Sequence, residues 1–296
     1  MRRSLRDILP AQQLRRTMRT KLQRAIQEVV GPPHVEQMRE LASLRQEVSE
    51  LRVRLIEDMG ELVRSSTERV IDHTRALEIR SRRDICYAGD VQAARESAEF
   101  ARGHLAGARQ FGHPHATLEY ALALAPVSGM ALEFGVYTGT TLKIIATARQ
   151  GGRVYGFDSF EGLPEHWRAG FAAGTFAAKT VPDVPGAELV VGCFDEVLPG
   201  FMENHPGPVD FLHIDADLYS SASTVLNLVG PRLREGSVVV FDEFFNYPGW
   251  QEHEYRAWTE YVERTAIAFR YEAFTFDNEQ VAVTLTSRPR RVEQLG

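Results

Sequence analysis

From residue 130 onward this chain alternates short apolar runs with helix-compatible stretches, and four of the runs end in an acid. Met130–Leu132 leads into Glu133, RVYGF (153–157) ends at Asp158, VDFLHI (209–214) at Asp215 and SVVVF (237–241) at Asp242. ELVVG (188–192) is a further run, and IAFRYEAFTF (267–276) and QVAVTLT (280–286) flank an Asp277-Asn278 turn. Continuous apolar strands separated by helices need cover on both faces, which dictates a parallel sheet. The last two runs predict an antiparallel hairpin at its edge. The expected fold is therefore α/β: a Rossmann-like, doubly wound, mostly parallel seven-stranded sheet with a C-terminal hairpin.

In such a sheet ligands bind beyond the carboxyl ends of the strands. LEFGVYTGTT (132–141) reads as strand, glycine turn and helix start. Gly135 and Gly139 let the backbone approach a ligand, and the helix presents bare N–H groups. The spacing is not G-x-G-x-x-G, and no G-K-[ST] follows, which argues against a nucleotide triphosphatase. Four acids along one rim suit a ligand carrying hydroxyls, an amine or a metal, and would repel a bare polyphosphate. Asp158 follows Gly139 by 19 residues, about the interval at which an acid on the second strand reaches a ribose; the alternative is a helix cap. Asp215, Asp217, Asp242 and Glu243 form the densest cluster. Uncompensated carboxylates raise one another's pKa, and a hard divalent cation such as Mg²⁺, Ca²⁺ or Mn²⁺ resolves that conflict. The alternative has Asp217 capping the next helix and Glu243 in solvent. His113 and His115 flank a proline in a loop, where solvation is the simpler reading than metal binding.

Charge is unevenly spread. Of a net −6, residues 1–30 carry eight basic side chains (among them Arg2, Arg3 and Arg6) against Asp7 and Glu28, leaving −12 for the rest. The acidic body argues against a nucleic-acid partner. In the basic arm Leu14, Met18, Leu22 and Ile26 recur every fourth residue, a stripe that fits an anionic membrane surface, a partner protein or the chain's own body. Gly31-Pro32-Pro33 is expected to interrupt any helix. From about His34 to Arg80, Leu41, Leu44, Val48, Leu51, Leu55 and Leu62 take a and d positions of a heptad frame, about three heptads, before Asp58 and Ser65 disturb it. A self-associating helix is expected, the alternative being one lying along the domain. The composition shifts around Arg80–Gly89, so the expected domains are 1–85, a basic helical arm with a short coiled coil, and 86–296. Two cysteines, Cys86 and Cys193, suit a reducing cytoplasm. No apolar run approaches a membrane span or a signal-peptide core.

The motifs LEFGVYTGTT, YGFDSFEGLP, HIDADLYSS and VVVFDE, in that order over about residues 90–290, resemble class I S-adenosylmethionine-dependent methyltransferases, and among them the macrocin O-methyltransferase family, which methylates sugar hydroxyls of natural products. The resemblance implies that Glu133, Gly135 and Gly139 surround the methionine part of S-adenosylmethionine. Asp158 and Ser159 would hold the ribose, and Cys193 and Phe194 would flank the adenine. It also implies Mg²⁺ on Asp215, Asp242 and Glu243, where the family usually has Asp-Asp or Asp-Asn at the last pair. Methyl transfer to a hydroxyl then needs a general base. Catechol O-methyltransferase has a lysine three residues after its strand-four aspartate; here that position is Leu218. The candidates are Asp215, His213 and His253, although His213 also reads as a packed core histidine. Tyr247, Trp250 and Tyr255 are candidates to stack on a sugar or cover the site, with His166 and Trp167 ranked below them. The competing readings are a metal-independent methyltransferase and an assembly subunit that keeps the fold as a scaffold. The expected partners are a small-molecule or glycan acceptor, further copies of the chain through the helix, and a membrane surface or a glycosyltransferase at the arm.

Overall fold

A computed structural model describes residues 8–150 and 152–287, without the side chains of 8–11 and 30–33. Arg2, Arg3, Arg6 and Asp7 of the basic arm lie outside the described residues. The chain divides into two compact units between Arg82 and Arg83.

The first unit is one helix, α1 (Ile8–Arg83, 76 residues). It runs unbroken through Gly31-Pro32-Pro33, against the expected interruption. Proline removes an N–H from the ladder, yet the intact turns on both sides carry the helix across the gap. Its apolar side chains among the described residues are exposed, from Leu14, Met18, Leu22 and Ile26 through Leu41, Leu44, Val48, Leu51, Leu55 and Leu62.

The second unit opens with α2 (Ile85–His104), capped by Asp84, whose carboxylate accepts from the N–H groups of Cys86 and Tyr87. Then follow β1 (Arg109–Phe111), α3 (Pro114–Leu124), β2 (Met130–Phe134), α4 (Thr140–Arg149), β3 (Val154–Asp158), β4 (Glu188–Val191) and α5 (Phe194–Asn204). The chain continues with β5 (Val209–Ile214), α6 (Tyr219–Val229), β6 (Leu233–Phe241), α7 (Glu254–Thr265), β7 (Phe269–Thr275) and β8 (Val281–Leu285). His113 is the N-cap of α3, its Nδ1 accepting from the His115 N–H at 3.1 Å. That bond explains this histidine pair without a metal.

The sheet order is β1-β7-β8-β6-β5-β2-β3-β4. All pairings are parallel except those of β8, which is antiparallel to both β6 and β7. Two expectations are corrected here. The hairpin is not the edge: β8 lies inside, and β1, three residues long and paired with β7, closes that side as an eighth strand. So short a run carries no periodicity from which to read it. Strand alternation sorts the core into two layers. Leu132, Phe134, Leu212, Ile214, Val239 and Phe241 pack with α5, α6 and α7, whereas Ala131, Phe211, Val238 and Val240 pack with α3 and α4. The order turns back between β2 and β5, which opens a crevice at their carboxyl ends.

Candidate active site

A cavity of about 960 Å³ occupies that crevice. Its walls include Gly135, Asp158, Ser159, Cys193, Phe194, Asp215, Asp217 and Glu243, together with Trp167, Arg168, Phe171 and Phe176 from the loop after β3. Acids outnumber the one arginine, so the space favours a cationic ligand.

Gly135 has φ +91°, and a Cβ there would stand 1.8 Å from the Asp215 carbonyl oxygen. Its absent side chain lets the ends of β2 and β5 meet; the close approach is to backbone as well as to the cavity. Gly139, with φ +79°, starts α4 and does not line the cavity; a Cβ there would meet Val184 Cγ2 at 2.8 Å. Asp158 faces the cavity, but its carboxylate is already engaged. Oδ2 accepts from the N–H groups of Val136 and Tyr137 at 2.8 Å each, and Oδ1 from that of Phe160 at 2.7 Å. The first two bonds hold the glycine turn, including Tyr137 at φ +46°, against the end of β3, and the third shapes the loop that leaves β3. Ser159 accepts from the Glu161 N–H. Cys193 caps α5, and the Phe194 ring meets Phe134 edge-on at 5.2 Å.

Glu133 lies opposite His213 in the β2–β5 register. Both are fully buried, and neither lines the cavity. His213 Nδ1 is 2.9 Å from Glu133 Oε1, and Nε2 is 3.5 Å from Asp242 Oδ1. Burial opposes charge on this imidazole, but the two carboxylates outweigh it and hold the pKa well above the ordinary histidine value. Both ring nitrogens of His213 thus face carboxylates, and the ring does not reach the cavity in which a general base would act. Glu133 is likewise set back from the cavity, beneath the turn. Burial works against ionised Asp242 too, but His213 and a 3.1 Å bond from Gln280 hold it below the usual carboxylate range.

Asp215, Asp242 and Glu243 each present an oxygen within 4.8 Å of the others. Burial and mutual repulsion push Asp215 and Glu243 well above the carboxylate range, and Asp217, at φ +60°, up to about 7. Oε2 of Glu243 is buried with no donor facing it. An all-oxygen set short of compensating positive charge fits a hard cation. Glu254, which sequence reasoning missed, braces this set: its carboxylate accepts from the N–H groups of Ala216 and Glu243 at 3.1 Å each. Nothing in the pattern around Glu254 distinguishes it from a surface acid at a helix start.

His253 does not line the cavity. Its ring lies 6.3 Å from that of Trp167 and 6.1 Å from that of Tyr247, and burial and Arg168 lower its pKa. Arg168 pairs with Glu279 at 3.1 and 3.3 Å and stacks on Trp167 and Tyr247. Tyr247 and Trp250 are buried and Tyr255 is half-buried in packing, so the aromatic lining comes from Trp167 and Phe171 instead.

Residues 132–244 match a family described as a methyltransferase domain, and this span holds every residue of the rim from Glu133 to Glu243. No curated protein matches. Among solved structures, the calicheamicin methyltransferase CalS11 is similar at 24% identity and a TM-score of 0.48, over 58% of this chain and 80% of that one. The O-methyltransferase NovP is similar at 20% and 0.43, over 60% and 79%. The O-methyltransferase TomG from Streptomyces achromogenes is similar at 19% and 0.35, over 67% and 89%. Residues 132–244, which hold the acidic rim, are thus similar to a methyltransferase domain.

Proposed function

We propose that this domain transfers the methyl group of S-adenosylmethionine to a hydroxyl of a sugar, a glycan or a polyhydroxylated natural product, with a divalent cation, Mg²⁺ first, beside the cofactor. The observation that carries the reading is the carboxylate set Asp215, Asp242 and Glu243, two of which line an acidic cavity. Asp215, Asp242 and Glu243 would hold the cation, which supplies Lewis-acid activation of the acceptor hydroxyl and fixes its orientation. Gly135, Asp158, Ser159, Cys193 and Phe194 wall the side of the cavity assigned to the nucleoside, and the acids there favour a sulfonium. Asp215 is the base candidate that reaches the cavity, and its carboxylate takes the hydroxyl proton as the methyl group leaves sulfur. Trp167 and Phe171 exclude water and offer an apolar face to a sugar ring.

Methyl transfer to a panel of polyhydroxylated acceptors, with and without EDTA, tests the reading. Activity that EDTA abolishes and Mg²⁺ restores is the expected result. A second reading, metal-independent transfer, is favoured by one observation: Asp242 is already bonded to His213 and Gln280. Full activity in EDTA would establish it.

The helix supports further proposals. Its exposed apolar positions fit self-association, and its basic first third fits an anionic membrane surface or a glycosyltransferase. No helix among the described residues is long and apolar enough to cross a membrane. If transfer is absent on every acceptor and S-adenosylmethionine gives no thermal shift, the fold serves as a scaffold in an assembly.

A further inference from the structure

We propose that α1 pairs with α1 of a second copy of this chain as a parallel, in-register, two-stranded coiled coil. This inference is independent of methyl transfer.

Leu41, Val48 and Leu55 at a, and Leu44 and Leu51 at d, are each between 51% and 60% exposed. The helix thus carries an exposed apolar seam from Leu41 to Leu55. An isolated helix gains little from such a seam, because helices are stabilised mainly by burying an apolar face.

The flanking charges choose the partner and its direction. In this frame Glu40 and Glu47 are g positions, and Arg45 and Arg52 are e positions. In a parallel pair each g faces the e of the following heptad on the other helix. Glu40 then meets Arg45 of the partner subunit, and Glu47 meets Arg52 of the partner subunit, each twice by symmetry. In an antiparallel pair g faces g and e faces e, which gives up both of these pairs and sets Arg45 against Arg52. A β-branched Val48 at a with leucine at d favours two strands.

The seam also outlasts the break at Asp58. A step of four residues from Leu55 to Met59 restores it, and Leu62, Val70 and Leu77 continue at spacings of three, eight and seven. All four are more than half exposed. A four-residue insertion relaxes the left-handed supercoil and moves Asp58 to the flank. The half-buried Ser66 and the exposed His73 fall on this second stretch as its polar members.

The test uses the full chain. Light scattering is expected to give a mass of two 33.3 kDa chains. Glu40→Arg with Glu47→Arg sets arginine against arginine and should halve that mass at the same concentration. Adding Arg45→Glu and Arg52→Glu should restore it. In a background with Cys86→Ser and Cys193→Ser, Leu44→Cys should cross-link to itself on mild oxidation, since only the in-register parallel pair brings equivalent d positions together. A single-chain mass, a mass of three or more chains, failure of the second charge swap to restore association, or absence of the Leu44→Cys cross-link would each overturn the proposal.

Discussion

Asp158 Oδ2 stands 2.8 Å from the backbone nitrogen of Tyr137, so the acid assigned to the cofactor also fastens the turn that meets it. Asp158→Ala should therefore cost affinity twice, through the lost acceptor and through a loosened turn. One charge-assisted bond is worth about 1.5–3 kcal/mol, which corresponds to a loss of roughly 10- to 100-fold in S-adenosylmethionine affinity. Calorimetry measures it; affinity within about twofold of the parent would remove Asp158 from the site.

The two glycines of the turn should differ. Gly135→Ala drives a methyl group into the fixed carbonyl of Asp215, and should destabilise by about 3 kcal/mol. Gly139→Ala meets side-chain atoms of Val184 and Pro182 instead of backbone, and adds the strain of a left-handed φ, about 1–2 kcal/mol. Urea unfolding of both variants gives the comparison. Equal midpoints would show that the β2 and β5 ends are not in contact.

Removing His213 strands two acids. His213→Phe should cost about 3–5 kcal/mol, because it leaves Glu133 buried without its cation. Glu133→Gln added to it should recover part of that loss, since the two positions share one interaction. A double-mutant cycle of thermal melts decides. Strict additivity would mean that the 2.9 Å contact carries no coupling.

The rim should be sensitive to pH in a defined direction. Asp215, Asp217 and Glu243 bind their protons more tightly when folded than when unfolded, through burial and mutual repulsion. Their neutral forms favour the fold below the unfolded carboxyl pKa of about 4. That contribution is lost as the pH rises through the folded values, which reach about 7 at Asp217. The metal-free protein should thus lose stability over this range. Because a cation must displace those protons, the thermal shift from Mg²⁺ should be larger at about pH 8 than at about pH 6. A shift that does not grow with pH would contradict metal binding at these acids, and Glu243→Gln should shrink it.

The strands were legible because a sheet covered on both faces requires near-continuous apolar runs, and β2, β3, β5 and β6 have them. Asp158, Asp215 and Asp242 announced the rim because each follows or ends its apolar run, whereas Glu133 lies inside β2 and is buried. The pairing of Glu133 with His213 was hidden, since it depends on strand register across 80 residues. Trp167, Arg168 and Glu254 reach the site by tertiary packing, with no periodicity to mark them. Gly31-Pro32-Pro33 misled because local rules state the cost of proline in a helix and not what long flanking helices can tolerate.

The single reversed strand has a consequence for how this pocket can diversify. Because β8 runs against its neighbours, it brings its beginning, not its end, to the edge where the others finish. Gln280 thereby touches Asp242, and Glu279 holds Arg168. The short connection at Asp277-Asn278 thus leads into two residues that brace the pocket from behind, and it is reachable without disturbing any parallel crossover. Lengthening or recomposing those few residues offers a route to a new acceptor while the cofactor half of the crevice stays as it is.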